Sequence, residues 1–160
     1  MKAFFQWLAA TDWFMRAGPR FVPRMDRLVH RLTGGRLVSS GLVPALILVS
    51  TGAKSGLPRR TPLACLPEAD GGLLVVGSNF GLPAHPAWTF NLLAEPRATV
   101  SFRGRDLSVT AALLTGDERA LAWPGLLELW PVYARYTEKS GRELRVFRLT
   151  PGPVTRGQRE

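Results

Sequence analysis

"TPLACLPEADGGLLVVGS", residues 61–78, is the stretch on which the fold turns. Two apolar runs of strand length flank "EADGG", whose Asp70-Gly71 pair is a hairpin signal. So short a link joins antiparallel strands, because parallel neighbours need a crossover of a dozen or more residues. Upstream, "ALILVS" (45–50) is another continuous apolar run of strand length. Downstream, "HPAWTFNLLAEP" (85–96) reads as a short helix bounded by Pro86 and Pro96. "ATVSF" (98–102) and "DLSVTAALL" (106–114) form a second hairpin around Arg103-Gly104-Arg105. Thr115 and Glu118 have the spacing of a capping box for a helix running into Trp123. Pro124 and Pro131 each restart a helix at its first turn, which predicts stepped segments to about Ser140. "ELRVFRLTP" (143–151) alternates as a last strand.

Two helices precede the strands, one over residues 2–16 and one from Pro23 to Gly34-Gly35. The order ααβββαββααβ lacks a βαβ rhythm, which argues against a doubly wound sheet and its dinucleotide crevice. The expected class is α+β, a mostly antiparallel sheet curling into a barrel with helices packed outside. Three regions follow: a helical arm (1–35), the barrel domain (36–151) and a polar tail (152–160).

The 160 residues, 46% apolar and 21% charged, are ordinary for one globular domain. The net charge is +9, and only Lys2, Lys54 and Lys139 among the 21 cations are lysine. An Arg-rich chain suits anionic partners, since guanidinium forks onto phosphate and carboxylate. Nucleic acid is not the expected partner, because the cations are not concentrated on one helix or strand. Cys65 is the lone cysteine and His30 and His85 the only histidines, so no metal site is expected. No apolar run reaches the roughly 20 residues of a membrane span. The protein is expected to be cytoplasmic. Its aromatic, basic arm is suited either to the surface of an anionic membrane or to packing on its own domain or a partner subunit.

Three clusters carry chemistry. In "STGAKSGLPRRTPL" (50–63), Lys54, Ser55, Arg59 and Arg60 sit on one connection turned by Gly52 and Gly56. Ala53 and Leu48 stand where a nucleotide-triphosphate loop needs glycines, so that motif is absent. The remaining readings are an anion nest with flanking cations or a solvated basic loop. In "VVGSNFGLPAHPAW" (75–88), Gly77 lets a flat ring approach and Ser78 and Asn79 offer hydrogen bonds beside Trp88. His85 is either a general acid or, the favoured reading, a helix-start or surface residue. In "LWPVYARY" (129–136), Trp130, Tyr133 and Tyr136 fall at i, i+3 and i+6 of a helix, as a core stripe or a lid over a flat ligand. No nucleophile–base pair is defensible, so an enzyme here needs a cofactor for its chemistry.

Taken together, "TGAKSGLPRRTPL", "VVGSNFGLPAHPAWTFNLLAEPRATV", "WPVYARY" and "RVFRLTP" resemble the deazaflavin-dependent nitroreductase family over about residues 44–151. The resemblance implies a six-stranded split β-barrel, similar to flavin-mononucleotide-binding oxidases. It implies coenzyme F420 as cofactor and hydride transfer to a lipophilic small-molecule acceptor: a quinone, an enone or a nitroaromatic. By position, Lys54, Ser55, Gly56 and Arg59, with Arg60 in support, would hold the coenzyme's phosphate and acidic tail. Pro62, Leu63, Ala64 and Cys65, with Gly77, Ser78 and Asn79, would line its ring. Ala87, Trp88 and Asn91 would complete the groove. Trp130, Tyr133 and Tyr136 would face the acceptor, with Tyr133 orienting or protonating it. The chain departs from the family at Ala53, where Arg is usual, at Asn79, where Lys is frequent, and at Trp130, where Tyr is frequent. The rivals are an FMN-dependent enzyme of the same fold and a non-enzymatic binder of an anionic ligand. The chain is expected to be a monomer or a homodimer.

Overall fold

The computed structural model describes residues 43–152. The helices expected before residue 36 and the tail after Gly152 lie outside the described residues. Six strands, β1 (Ala45–Thr51), β2 (Pro58–Pro67), β3 (Leu73–Gly77), β4 (Arg97–Phe102), β5 (Arg105–Leu113) and β6 (Arg145–Pro151), form the body. They close into a barrel in the order β1-β2-β3-β6-β5-β4, with every pairing antiparallel. β3 meets β2 only at Cys65–Pro67, so residues 58–64 pair with β1 on one side and with no strand on the other among the described residues.

Both expected hairpins form. Between β2 and β3 the Glu68 N–H donates to the Gly72 carbonyl at 2.8 Å, and Asp70 accepts from the Gly72 N–H at 2.9 Å. Between β4 and β5 the turn is only Arg103-Gly104, both at positive φ (50° and 76°), the geometry a two-residue hairpin favours.

Three α-helices, α1 (Ala87–Ala94), α2 (Gly116–Leu129) and α3 (Val132–Ser140), pack against the barrel. Side-chain alternation divides the core in two. Leu46, Leu48, Cys65, Val75, Val100, Val109, Phe147 and Leu149 fill the barrel, joined by Trp88 and Leu92 from α1. Leu74, Val76 and Val146 point the other way and bury Leu126 of α2 and Val132, Tyr133 and Tyr136 of α3.

Three local expectations need correction. β2 starts at Pro58, so Arg59 and Arg60 are strand residues, paired with Ser50 and Val49, rather than loop residues. Thr115 is the N-cap of α2, but its side chain makes no capping bond, so the capping box does not form. Pro124 lies inside α2 without ending it; the helix stops at Trp130, just before Pro131. Packing of α2 on the barrel outweighs the missing donor and the ring clash.

Candidate active site

The loop between β1 and β2 is a tight, exposed turn. Gly56 N–H donates to the Gly52 carbonyl at 2.7 Å, and Gly52 N–H to the Leu57 carbonyl at 2.8 Å. The Ser55 hydroxyl accepts from the Leu57 N–H at 3.2 Å and from Arg59 Nη2 at 3.3 Å. A Cβ on Gly52 would stand 2.5 Å from Ser55 Oγ and 3.1 Å from the Leu57 carbonyl oxygen, so a side chain there would displace the Ser55 hydroxyl and crowd the turn. Lys54 and Arg60 project without an ion-pair partner among the described residues, and no acid lies between residues 43 and 67. The fixed turn carrying Lys54, with Arg59 and Arg60 on the strand that leaves it, is a cradle for an anion.

α1 locks this turn from behind. Asn91 is buried; its Oδ1 accepts from the Ala53 N–H at 2.9 Å and its Nδ2 donates to Ser50 Oγ at 3.2 Å. The amide thereby holds β1 and the loop on one helix, which sequence reading had placed on the groove wall.

The second cluster lies at the other end of α1. A 3-10 turn, Asn79–Gly81, follows β3, with Asn79 (φ 46°) and Phe80 (φ 54°) in the left-handed region. Asn tolerates that region, whereas the bulky Phe80 does not favour it, and such backbone persists where surrounding contacts over-determine it. Asn79 Nδ2 donates to the Ala84 carbonyl at 2.9 Å, tying the segment to itself. Ala87, on the exposed side of α1, and Ser78, at the mouth of the turn, remain available to a ligand. Gly81 packs against α3, where a Cβ would meet the Tyr136 Cα at 3.2 Å. Phe80 meets the Tyr136 ring edge-on at 6.4 Å.

The loop, α1, segment 77–85 and α3 are thus linked by contact into one belt of elements. All three sequence clusters lie on it. Several residues nevertheless stand there for other reasons than expected. Gly77 faces protein: a Cβ would come within 2.8 Å of Thr89 Cγ2 and 3.4 Å of Pro86 Cγ, so its smallness serves the docking of α1. Trp88 is buried with its ring 5.6 Å from Phe147, inside the barrel. Leu63 and Cys65 also point into the barrel, which leaves Pro62 and Ala64 on the outer face with Leu66. Trp130 caps α2 instead of sharing a helix with Tyr133; the ring stacked on Tyr133 is Trp123, at 6.3 Å.

Tyr133 is 5% exposed, and burial, with lesser contributions from Tyr136 and Cys65, pushes its phenol well above the ordinary range. Burial raises Tyr136 to about 12 and the Cys65 thiol to about 12. These groups stay protonated at neutral pH, so Tyr133 is suited to donating a hydrogen bond and unsuited to releasing a proton. An open cavity of about 570 Å³ lies between the ends of β1, β4 and β5 at the root of the turn, lined there by Ser50, Thr51 and Pro58, and none of the predicted site residues lines it.

Sequence reading missed Arg142. It follows Gly141, the left-handed cap of α3, and its guanidinium reaches back to five acceptors on segment 77–85. An Arg beside a helix-capping glycine is too common a signal to have found it.

Comparisons with known proteins bear on the fold and the family. A solved F420-H2-dependent reductase, FDR-A, superposes with a TM-score of 0.61 at 38% identity, covering 66% of this chain and 93% of that one. A domain-swapped dimer superposes at 0.62 with 34% identity, covering 77% of this chain and 94% of that one. A heme-binding protein from Mycobacterium smegmatis, at 17% identity and a TM-score of 0.52, shares the fold alone. An F420H(2)-dependent quinone reductase of Mycobacterium tuberculosis is 30% identical over 137 residues, 79% of this chain and 88% of the relative. The model of the F420H(2)-dependent quinone reductase family matches residues 22–151. The chain belongs to that family of oxidoreductases.

Proposed function

We propose that this chain binds coenzyme F420 along the belt and reduces a quinone-class acceptor with its reduced form. One observation carries the reading: an acid-free cationic stretch, Lys54 on a turn held by Ser55 and Asn91, with Arg59 and Arg60 at the start of β2. The coenzyme's phosphodiester and glutamate tail form a polyanion, and the residues present fit it. Lys54, Ser55, the Gly56 backbone, Arg59 and Arg60 bind that tail, each charge-assisted bond contributing about 1.5–3 kcal/mol before solvent screening. Pro62, Ala64, Ser78, Asn79 and Ala87 border the ring, while Leu63, Cys65, Gly77, Trp88 and Asn91 shape the groove from beneath. Tyr133 orients the acceptor by hydrogen bonding, with Tyr136 and Trp130 excluding water around it. When bound, the reduced deazaflavin supplies the hydride.

Enones and nitroaromatics belong to the same proposal as further acceptors. So does a cytoplasmic protein whose first 35 residues touch the inner face of the membrane, which their aromatic and basic composition supports. The sequence contains no acid in the turn that would oppose FMN either, so the two coenzymes are separated by experiment. Fluorescence titration of F420 and FMN is the test. The wild type is expected to prefer F420, and Lys54→Ala/Arg59→Ala to weaken it at least about tenfold. Equal binding of both coenzymes, or undiminished F420 binding by the double variant, would overturn the assignment of the turn.

A further inference from the structure

Arg142 stands on the belt and has no part in the coenzyme reading. Its Nε donates to the Leu82 carbonyl at 3.2 Å, Nη1 to the Gly77 carbonyl at 3.2 Å, and Nη2 to the carbonyls of Ser78 at 3.0 Å and Ala84 at 3.2 Å. Nη1 also meets His85 Nδ1 at 3.0 Å. The fork thus brackets the left-handed pair Asn79-Phe80 from both sides, and it is anchored at the end of α3. Guanidinium has only donors. His85 Nδ1 must therefore accept, which leaves the ring neutral with its proton on Nε2. Arg145, whose Nη1 donates to Thr89 Oγ1 at 3.1 Å and whose head lies over Phe90, is the second cation near the ring. Burial first, then Arg145 and Arg142, holds the His85 pKa below its ordinary value. Phe90 completes the setting, edge-on to the imidazole at 6.3 Å.

We propose that Arg142 is a positioning residue: it holds segment 77–85 in its left-handed form and fixes His85 as the neutral Nε2–H tautomer. This side of the groove then offers a hydrogen-bond donor, and His85 is not a general acid. What the segment is held for rests on the coenzyme reading; the tautomer and the backbone do not. The segment's shape is costly in isolation, so without the fork it relaxes toward ordinary backbone.

Nitrogen-15 NMR of the histidine rings, with amide exchange of residues 77–85, reads the device with no ligand present. In the wild type His85 is expected to show the Nε2–H form and to titrate below an ordinary histidine. Arg142→Ala should mix the tautomers, raise the pKa, speed exchange across 77–85 and weaken F420 binding about tenfold. Arg142→Lys, which keeps the charge but loses the planar fork, should recover the low pKa more than the slow exchange. It also serves if the alanine variant fails to fold. An Nδ1–H tautomer in the wild type would overturn the proposal. So would unchanged exchange and affinity in both variants. If the wild type shows the expected tautomer and exchange yet binds no F420, the coenzyme reading fails and Arg142 keeps its role.

Discussion

Gly77 shows how a single missing atom can be spent on packing. Its place between Thr89 and Pro86 has room for hydrogen only. Gly77→Ala is expected to cost about 1–3 kcal/mol, the ordinary penalty of overpacking, read as a lowered Tm. Cys65 makes the complementary case. With a pKa of about 12 set by burial and only weakly opposed by Arg103, its thiolate is rare at pH 8. Iodoacetamide should leave native protein unlabelled and modify it in denaturant. The same raised groups give stability a sign with pH. Cys65 moves from 9.0 and Tyr136 from 10.0, each to about 12, so the unfolded chain loses protons first. Their contribution is complete below about pH 9 and is lost as pH rises toward 12. Urea melts across that range should show the midpoint falling with pH.

Among the elements, α1 does the most for its length. In eight residues it plugs the barrel with Trp88 and Leu92, receives Gly77 against Thr89, and clamps the cationic turn through Asn91. Its apolar and polar duties are spread round the helix, so no sharp amphipathic stripe marks it. Asn91→Ala removes the partner of the Ala53 N–H and of Ser50. We expect a loss of about 1–3 kcal/mol and faster proteolysis within residues 52–57, with the helix itself intact by circular dichroism. α2 teaches the opposite lesson. Its Pro124 reads as a break, yet Leu126 beyond it is buried in the outer cluster and keeps the axis running.

At the scale of the molecule, closure of the sheet brings residues from 50, 91 and 142 positions along the chain onto one belt. Arg148 and Glu68 brace the far side with a bidentate pair at 2.7 and 3.0 Å. The pair is bidentate and only 29% and 23% exposed, so it is stronger than a lone surface ion pair, and Glu68→Gln should lower Tm measurably. The net charge of +9 has a clearer readout. If the exposed turn holds a polyanion, F420 affinity must fall as salt rises, whereas stability should change little.

Both hairpins were legible in the sequence, because Asp70-Gly71 and Arg103-Gly104 act through local backbone geometry, and the barrel was legible as a class, while its strand order came only with closure. The cationic turn was legible too, since charge and glycine need no tertiary partner to be seen. Which way a residue faces was not. Leu63, Cys65, Gly77 and Trp88 turn toward protein, because alternation and helix docking are settled only when the sheet closes. Arg142 was invisible for the same reason: its five acceptors lie 57 to 65 residues away along the chain, and only the docking of α3 beside β3 brings them within reach. Local propensities follow from neighbours in sequence; contacts across such separations exist only once the apolar faces on both sides of the barrel wall have been buried.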